Sequence, residues 1–154
     1  MLDTKNPLIA EFLKDHQQFS RLIYEISNLL KANKIEKARE RAKELDAVAG
    51  PHIAYEEAEL YPRLAGLGEK ATSEEMLVGQ HHEAIDALRD LLNIPTPSEE
   101  QLKSIKAGFQ DSLTHAEHCG SLISLLTQLE ASEQTESLEV LRDFRKQGKN
   151  WTDL

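Results

Sequence analysis

Four long stretches of the sequence repeat apolar residues every three or four positions, which is the period of one face of an α-helix. Runs of β-branched residues are absent, aromatic residues make up 5% of the chain, and the helix-favouring residues Leu, Ala, Glu and Lys are abundant. At 154 residues the chain is long enough to bury a core as a single domain. These features predict an all-α fold, an antiparallel up-down-up-down four-helix bundle with a short additional C-terminal helix.

Capping and breaking residues predict the boundaries of the first two helices. Asn6 is a good capping residue, and Pro7 suits the first helical position, so the first helix is expected over residues 7–30. The second is expected over residues 33–65. Gly50-Pro51 should kink or interrupt it, because proline removes a backbone donor and clashes one turn back.

Two capping boxes predict where the next helices begin. Thr72 with Glu75, and Ser98 with Gln101, have the required spacing, which gives helices over residues 72–94 and 98–129. A fifth is expected over 135–146, followed by a loose tail at 148–154. We therefore divide the chain into the bundle, residues 1–131, and an extra helix and tail, residues 132–154, packed on or flanking it.

The charge of the chain restricts its partners. It has 18 Lys and Arg against 27 Asp and Glu, a net charge of −9, with no basic tail, so nucleic acids and anionic membranes are disfavoured. We expect neither a membrane span nor a secretory leader, because no apolar run reaches membrane-spanning length and the N-terminal stretch is amphipathic and acidic. Its one cysteine, Cys119, cannot form an internal disulfide. We expect a cytoplasmic protein.

Histidines are placed on the predicted core faces. All four long helices carry at least one of the six, at positions 16, 52, 81, 82, 115 and 118. His16, His52 and His115 share faces with apolar residues, since residues turn by about 100° per position. Glu56 lies one turn after His52, and a buried carboxylate is costly without a cation or partner. A single buried histidine is commonly a core residue, but this arrangement favours iron, manganese or zinc.

The two halves of the sequence repeat this pattern. AspHisGlnGlnPhe at 15–19 matches HisHisGluAlaIle at 81–85, and a second histidine follows 36 residues after His16 and 33 residues after His82. Helical periodicity favours His81, which lies between Leu77 and Ile85 on one face. The repeat favours His82, and we choose His82 because helix faces are broad.

Together these motifs resemble the hemerythrin-like family of HHE cation-binding domains. The matching residues are 15–19, HisIleAlaTyrGluGluAlaGluLeuTyrPro at 52–62, 81–85 and His115, and they cover about residues 7–130. The resemblance implies a non-haem di-iron centre in the bundle core, bridged by carboxylates of the second and fourth helices, with an open position for dioxygen or a related molecule. The ligands it implies are His16, His52, Glu56, His82 and His115, with Glu56 as a bridge.

One position departs from the family pattern. Where the fourth helix should read His-x-x-x-Glu, it has Cys119 four residues after His115. Cys119 is a possible thiolate ligand; alternatively His118 or Asp111 supplies the missing ligand. In the third interpretation Cys119 is a small buried residue, and the site holds one metal or none.

The resemblance implies a protein that binds or senses dioxygen, nitric oxide or peroxide, or handles iron. No other catalytic constellation is present, so a binding protein is favoured over an enzyme. The alternatives are a redox enzyme, peroxidase or nitric oxide reductase-like, and a degenerate bundle. Tyr55 and Tyr61 flank the site in sequence, where a tyrosine can donate a hydrogen bond beside a metal or supply an electron. Packing at a helix end is the favoured interpretation of both.

Overall fold

The computed structural model describes residues 6–65, 74–121 and 126–154, with side chains for 6–63, 78–115 and 126–154. A π-helical turn, Glu56–Leu60, joins the second helix to the third, and a 3-10 turn, Trp151–Asp153, lies at the C-terminal end. The described residues contain no β-strand, which confirms the all-α prediction. The helices are α1 Pro7–Lys31, α2 Ile35–Tyr55, α3 Tyr61–Ala65, α4 Glu74–Asn93, α5 Glu99–Ser121 and α6 Ala131–Gln147.

The four long helices α1, α2, α4 and α5 surround one apolar core. α1 packs along α2 and against α5, while α4 packs along α5 and against α2. Their buried residues include Leu22, Leu45, Leu88 and Phe109. Among the described helices, none combines the length and apolarity that a membrane span requires.

Two of the predicted helix starts are capped as expected. The Asn6 side chain accepts hydrogen bonds from the backbone N–H groups of Leu8 at 3.0 Å and Ile9 at 3.3 Å. The N–H of Ser98 donates to Oε1 of Gln101 at 2.9 Å, and the Gln101 N–H donates to Oγ of Ser98 at 3.1 Å. These bonds satisfy backbone donors that a helix start leaves unpaired. Thr72 of the other expected capping box lies outside the described residues.

The expected interruption at Gly50-Pro51 does not occur. The α-helix continues across both residues, because a proline removes only one backbone hydrogen bond, and buried neighbours such as Ala49 and Ile53 hold this part of α2 in the core. The irregularity comes later, at the π-helical turn, where the Tyr61 N–H bonds to the Glu56 carbonyl. Such single π turns are frequent at functional sites.

The C-terminal region is more ordered than the sequence analysis expected. α6 begins at Ala131, where Glu130 and Glu133 form a capping box. The predicted start, residue 135, was therefore four residues too late. It packs against α2 and α1. The prediction of a loose tail is wrong, because Trp151 is buried at 7% exposure and Thr152 bonds to Asp46 of α2.

Candidate metal centre

Histidines from the four long helices and one glutamate from the π-helical turn converge in the interior of the bundle. α1, α2, α4 and α5 each contribute one histidine, and the π-helical turn contributes Glu56, which is 1% exposed. The donor atoms fall into two groups, and within each group all donor atoms lie within 4.8 Å of one another. Glu56 belongs to both groups. The first group is His16, His52 and Glu56, and the second is Glu56, His81 and His115.

The donor atoms of the first group lie close enough together to hold one cation. Oε1 of Glu56 lies 2.5 Å from Nε2 of His52 and 3.2 Å from Nε2 of His16. The two Nε2 atoms are themselves 3.2 Å apart. A cation with ligands about 2.1 Å away, at right angles, separates its donor atoms by about 3 Å. Two imidazoles and one carboxylate form a donor set that binds non-haem iron(II) and also zinc.

The second group lies on the other oxygen of the same carboxylate. Oε2 of Glu56 is 3.3 Å from Nε2 of His81, and the rings of His81 and His115 have centroids 4.5 Å apart at 79°. Oε1 of Glu56 therefore faces His16 and His52, and Oε2 faces His81, whose ring packs against that of His115. This is the arrangement that a carboxylate bridging two cations requires.

The outer nitrogens of three histidines are held by polar side chains. Such bonds fix the orientation of an imidazole and leave its other nitrogen for a metal. Nδ1 of His16 differs, since it is buried and has no hydrogen-bond partner among the described residues. The three pairs are His52 Nδ1 with Asp15 Oδ2 at 2.9 Å, His81 Nδ1 with Glu57 Oε1 at 2.9 Å, and His115 Nδ1 with Gln80 Oε1 at 2.5 Å.

Tyr61 is a polar neighbour of the cluster, although the sequence analysis favoured packing at a helix end for it. Its hydroxyl donates a hydrogen bond to Oε2 of Glu56 and lies 3.2 Å from Nε2 of His81. Five residues separate Tyr61 from Glu56, a spacing that a regular α-helix does not put on one face. The π-helical turn brings them together, and no spacing rule in the sequence shows that turn.

The charges of the cluster balance one another. Burial opposes ionisation of Glu56, but the charge of His52 and hydrogen bonds from His16 and His52 outweigh it and hold the pKa of Glu56 well below its usual range. Burial also disfavours the charged form of His52, but Glu56 and Asp15 raise its pKa to about 9. For His16, burial prevails and lowers the pKa. A cation binding here displaces the His52 proton.

Comparison with known families agrees with this geometry. Residues 8–147 match the family model described as the hemerythrin HHE cation binding domain. The chain belongs to this family. No curated protein and no solved structure gives a significant match. As a hemerythrin HHE domain the protein is metal-binding, and the two donor groups are its candidate site.

The structure places His81, not His82, at the candidate site of this hemerythrin HHE domain. His81 lies three residues before Ala84 and four before Ile85, so it shares their buried face of α4. His82 lies about 100° further around the helix and is exposed. The choice of His82 is therefore corrected. Asp111 is exposed. His118 and Cys119 lie outside the described side chains.

A small cavity lies beside the cluster. Its volume is about 40 Å³, where one water needs about 10–15 Å³ on the same scale. His16, Glu56, His81 and His115 line one side, and the rest of the lining is mostly apolar, including Trp151. A molecule of two or three atoms fits this space.

Proposed function

We propose that the protein binds non-haem iron as a di-iron centre and uses the adjacent cavity to bind or sense dioxygen, nitric oxide or peroxide. The position of Glu56 carries the proposal, since it belongs to both donor groups, with Oε1 beside His16 and His52 and Oε2 beside His81. Two histidines and a carboxylate suit iron(II). His16 and His52 would hold one iron, His81 and His115 the other, and Glu56 both.

Iron bound here supplies open coordination positions and a change of oxidation state for a small ligand. The chain's own residues orient the imidazoles, through Asp15, Glu57 and Gln80. Tyr61 holds the Oε2 atom of Glu56 by a hydrogen bond. Apolar residues such as Ile23 line the cavity and favour an uncharged diatomic molecule over water.

Metal content is the direct test of this proposal. The protein is made with iron supplied and purified without chelators, and its metals are measured by plasma mass spectrometry alongside its ultraviolet-visible spectrum. We expect two irons per chain and an oxo-bridge absorption band. One metal or none would contradict the di-iron centre.

A matched pair of variants locates the iron. Glu56→Gln removes the shared carboxylate charge and should lower the occupancy of both positions. Glu59→Gln makes the same change in the same π-helical turn. Oε1 of Glu59 accepts a hydrogen bond from Nε of Arg63 at 2.7 Å and is not part of the donor groups, so this variant should leave metal content unchanged. Equal iron in the two variants would exclude Glu56 as the bridge.

A redox enzyme, peroxidase or nitric oxide reductase-like, is the second candidate. Tyr61 favours it, because its hydroxyl holds a proton beside both Glu56 and His81. The test adds hydrogen peroxide to the reduced, iron-loaded protein and follows its loss. Turnover no faster than that of free iron would reject the enzyme and leave the binding protein.

A further inference from the structure

The C-terminal segment, residues 148–154, lies beyond the family match, which ends at residue 147. Gly148 ends α6 in the left-handed conformation, with φ 61°, and the chain then crosses α2. Trp151 reaches the cavity wall, where its ring centroid is 6.4 Å from that of His81, at 85° between the planes. A residue outside the family match thus forms part of the cavity wall beside the donor groups.

Gly50 allows the segment to lie directly on α2. A Cβ atom at position 50 would be 2.0 Å from the Lys149 carbonyl oxygen and 2.8 Å from the Trp151 nitrogen. Both distances are far shorter than van der Waals contact, and the atoms belong to backbone. Glycine is therefore required here for the close approach of the segment.

Asp46 holds the segment in place. The carboxylate is 6% exposed; Oδ1 accepts the Thr152 N–H at 2.8 Å and Oδ2 accepts the Thr152 hydroxyl at 2.9 Å. Arg89 adds a longer bond of 3.4 Å to the Thr152 carbonyl. The other cavity walls are long helices, whereas residues 148–154 are a short terminal segment that lies on α2 at Gly50 and is tied to it at Thr152. Terminal segments of this kind are among those that open locally without global unfolding.

We propose that residues 148–154 are a gate to the cavity, with Trp151 as the residue that closes it. In the closed state Trp151 limits the cavity to molecules of two or three atoms. Release of Thr152 from Asp46 withdraws Trp151 and opens the cavity to larger molecules. The identity of the ligand that the gate admits rests on the proposed function, whereas the opening of the gate does not require a bound metal.

The chain has one tryptophan, so its fluorescence reports on Trp151 alone. In the metal-free protein we expect dioxygen to quench this fluorescence efficiently and acrylamide, which is larger, to quench it weakly. Asp46→Asn should raise acrylamide quenching several-fold, because it removes the negative charge that strengthens both Thr152 bonds and its NH2 group cannot accept the bond that Oδ2 accepts. Asp153→Asn, the same change at an exposed position of the segment, should leave it unchanged.

Thr152→Val is the milder variant if Asp46→Asn lowers the helical circular dichroism. It removes one of the two anchoring bonds and should raise acrylamide quenching less than Asp46→Asn does. Acrylamide quenching that stays at the native level in a folded variant would overturn the gate, as would strong quenching in the unmodified protein.

Hydrogen exchange gives an independent test of opening. The Thr152 amide should exchange through a local event that low concentrations of denaturant do not accelerate, while amides of α2 exchange only through larger unfolding. Exchange of Thr152 only by global unfolding would overturn the gate. Because both measurements use metal-free protein, failure of the gate is separate from a failure to bind iron.

Discussion

Nδ1 of His52 and Nη2 of Arg145 both lie 2.9 Å from one oxygen, Oδ2 of Asp15. Asp15 is the chain neighbour of His16, so one stretch of α1 supplies a candidate ligand and orients the ligand of α2. The same relation recurs, since Glu57 follows Glu56 and holds His81, and Gln80 precedes His81 and holds His115. Thus α1, the π-helical turn and α4 each orient an imidazole of another helix.

Asp15→Asn should weaken metal binding by about tenfold or more, the usual effect of losing such a partner of a metal-bound histidine. Competition with a chromophoric chelator measures the affinity. Glu11→Gln is the control, because Glu11 also bonds to Arg145, at 2.6 Å from Nη1, but does not contact His52 in any described hydrogen bond. Equal affinities in the two variants would show that the Asp15 bond does not position the ligand.

His81→Ala and His82→Ala are neighbouring substitutions with opposite expected results. His81→Ala removes a donor from the second group and should reduce iron to about one per chain in the di-iron proposal. His82→Ala changes an exposed side chain and should leave iron content intact. Plasma mass spectrometry measures the iron content of both variants. Loss of iron in His82→Ala but not in His81→Ala would contradict the placement of His81 at the metal centre.

The local signals in the sequence predicted much of the fold. Asn6 and Ser98 cap helices as expected, because capping depends on a few neighbouring residues. The predicted apolar face of His16 is also correct, with Phe12 and Phe19 buried beside it. Helical periodicity favoured His81, and the weaker comparison of repeats led to His82.

The remaining features depend on tertiary contacts. The π-helical turn places Tyr61 beside Glu56, and no pattern of residue types specifies where an extra residue enters a helix. The burial of Trp151 depends on Gly50 and Asp46, about a hundred residues earlier. A long-range bond of this kind leaves no periodic signal, so the segment was expected to be loose.

Metal removal should lower the stability of the folded protein. A cation that binds only the folded state at a hundred times its dissociation constant contributes about 2.7 kcal/mol. We expect chelation to lower the melting temperature by several degrees in the unmodified protein and to have little effect on Glu56→Gln. A melting temperature that chelation leaves unchanged would support the degenerate bundle.

Cys119 can be tested although its side chain lies outside the described residues. If it is a thiolate ligand, Cys119→Ser should lower metal content and alter the charge-transfer spectrum. If it only packs, both should stay the same. Cys119→Glu restores the family pattern and should raise occupancy of the second position. No rise in occupancy would mean that position 119 is not equivalent to position 56.

The contact between Tyr55 and Ser137 joins α6 to α2. Their hydroxyls are 2.6 Å apart and both residues are fully buried. Tyr55→Phe should destabilise the fold by about 1–3 kcal/mol, since it leaves the Ser137 hydroxyl buried without that partner. Adding Ser137→Ala should recover part of this loss, because no unpaired group remains. Urea unfolding of both single variants and the double variant gives the coupling energy, and strictly additive losses would show that the hydrogen bond does not stabilise the docking of α6.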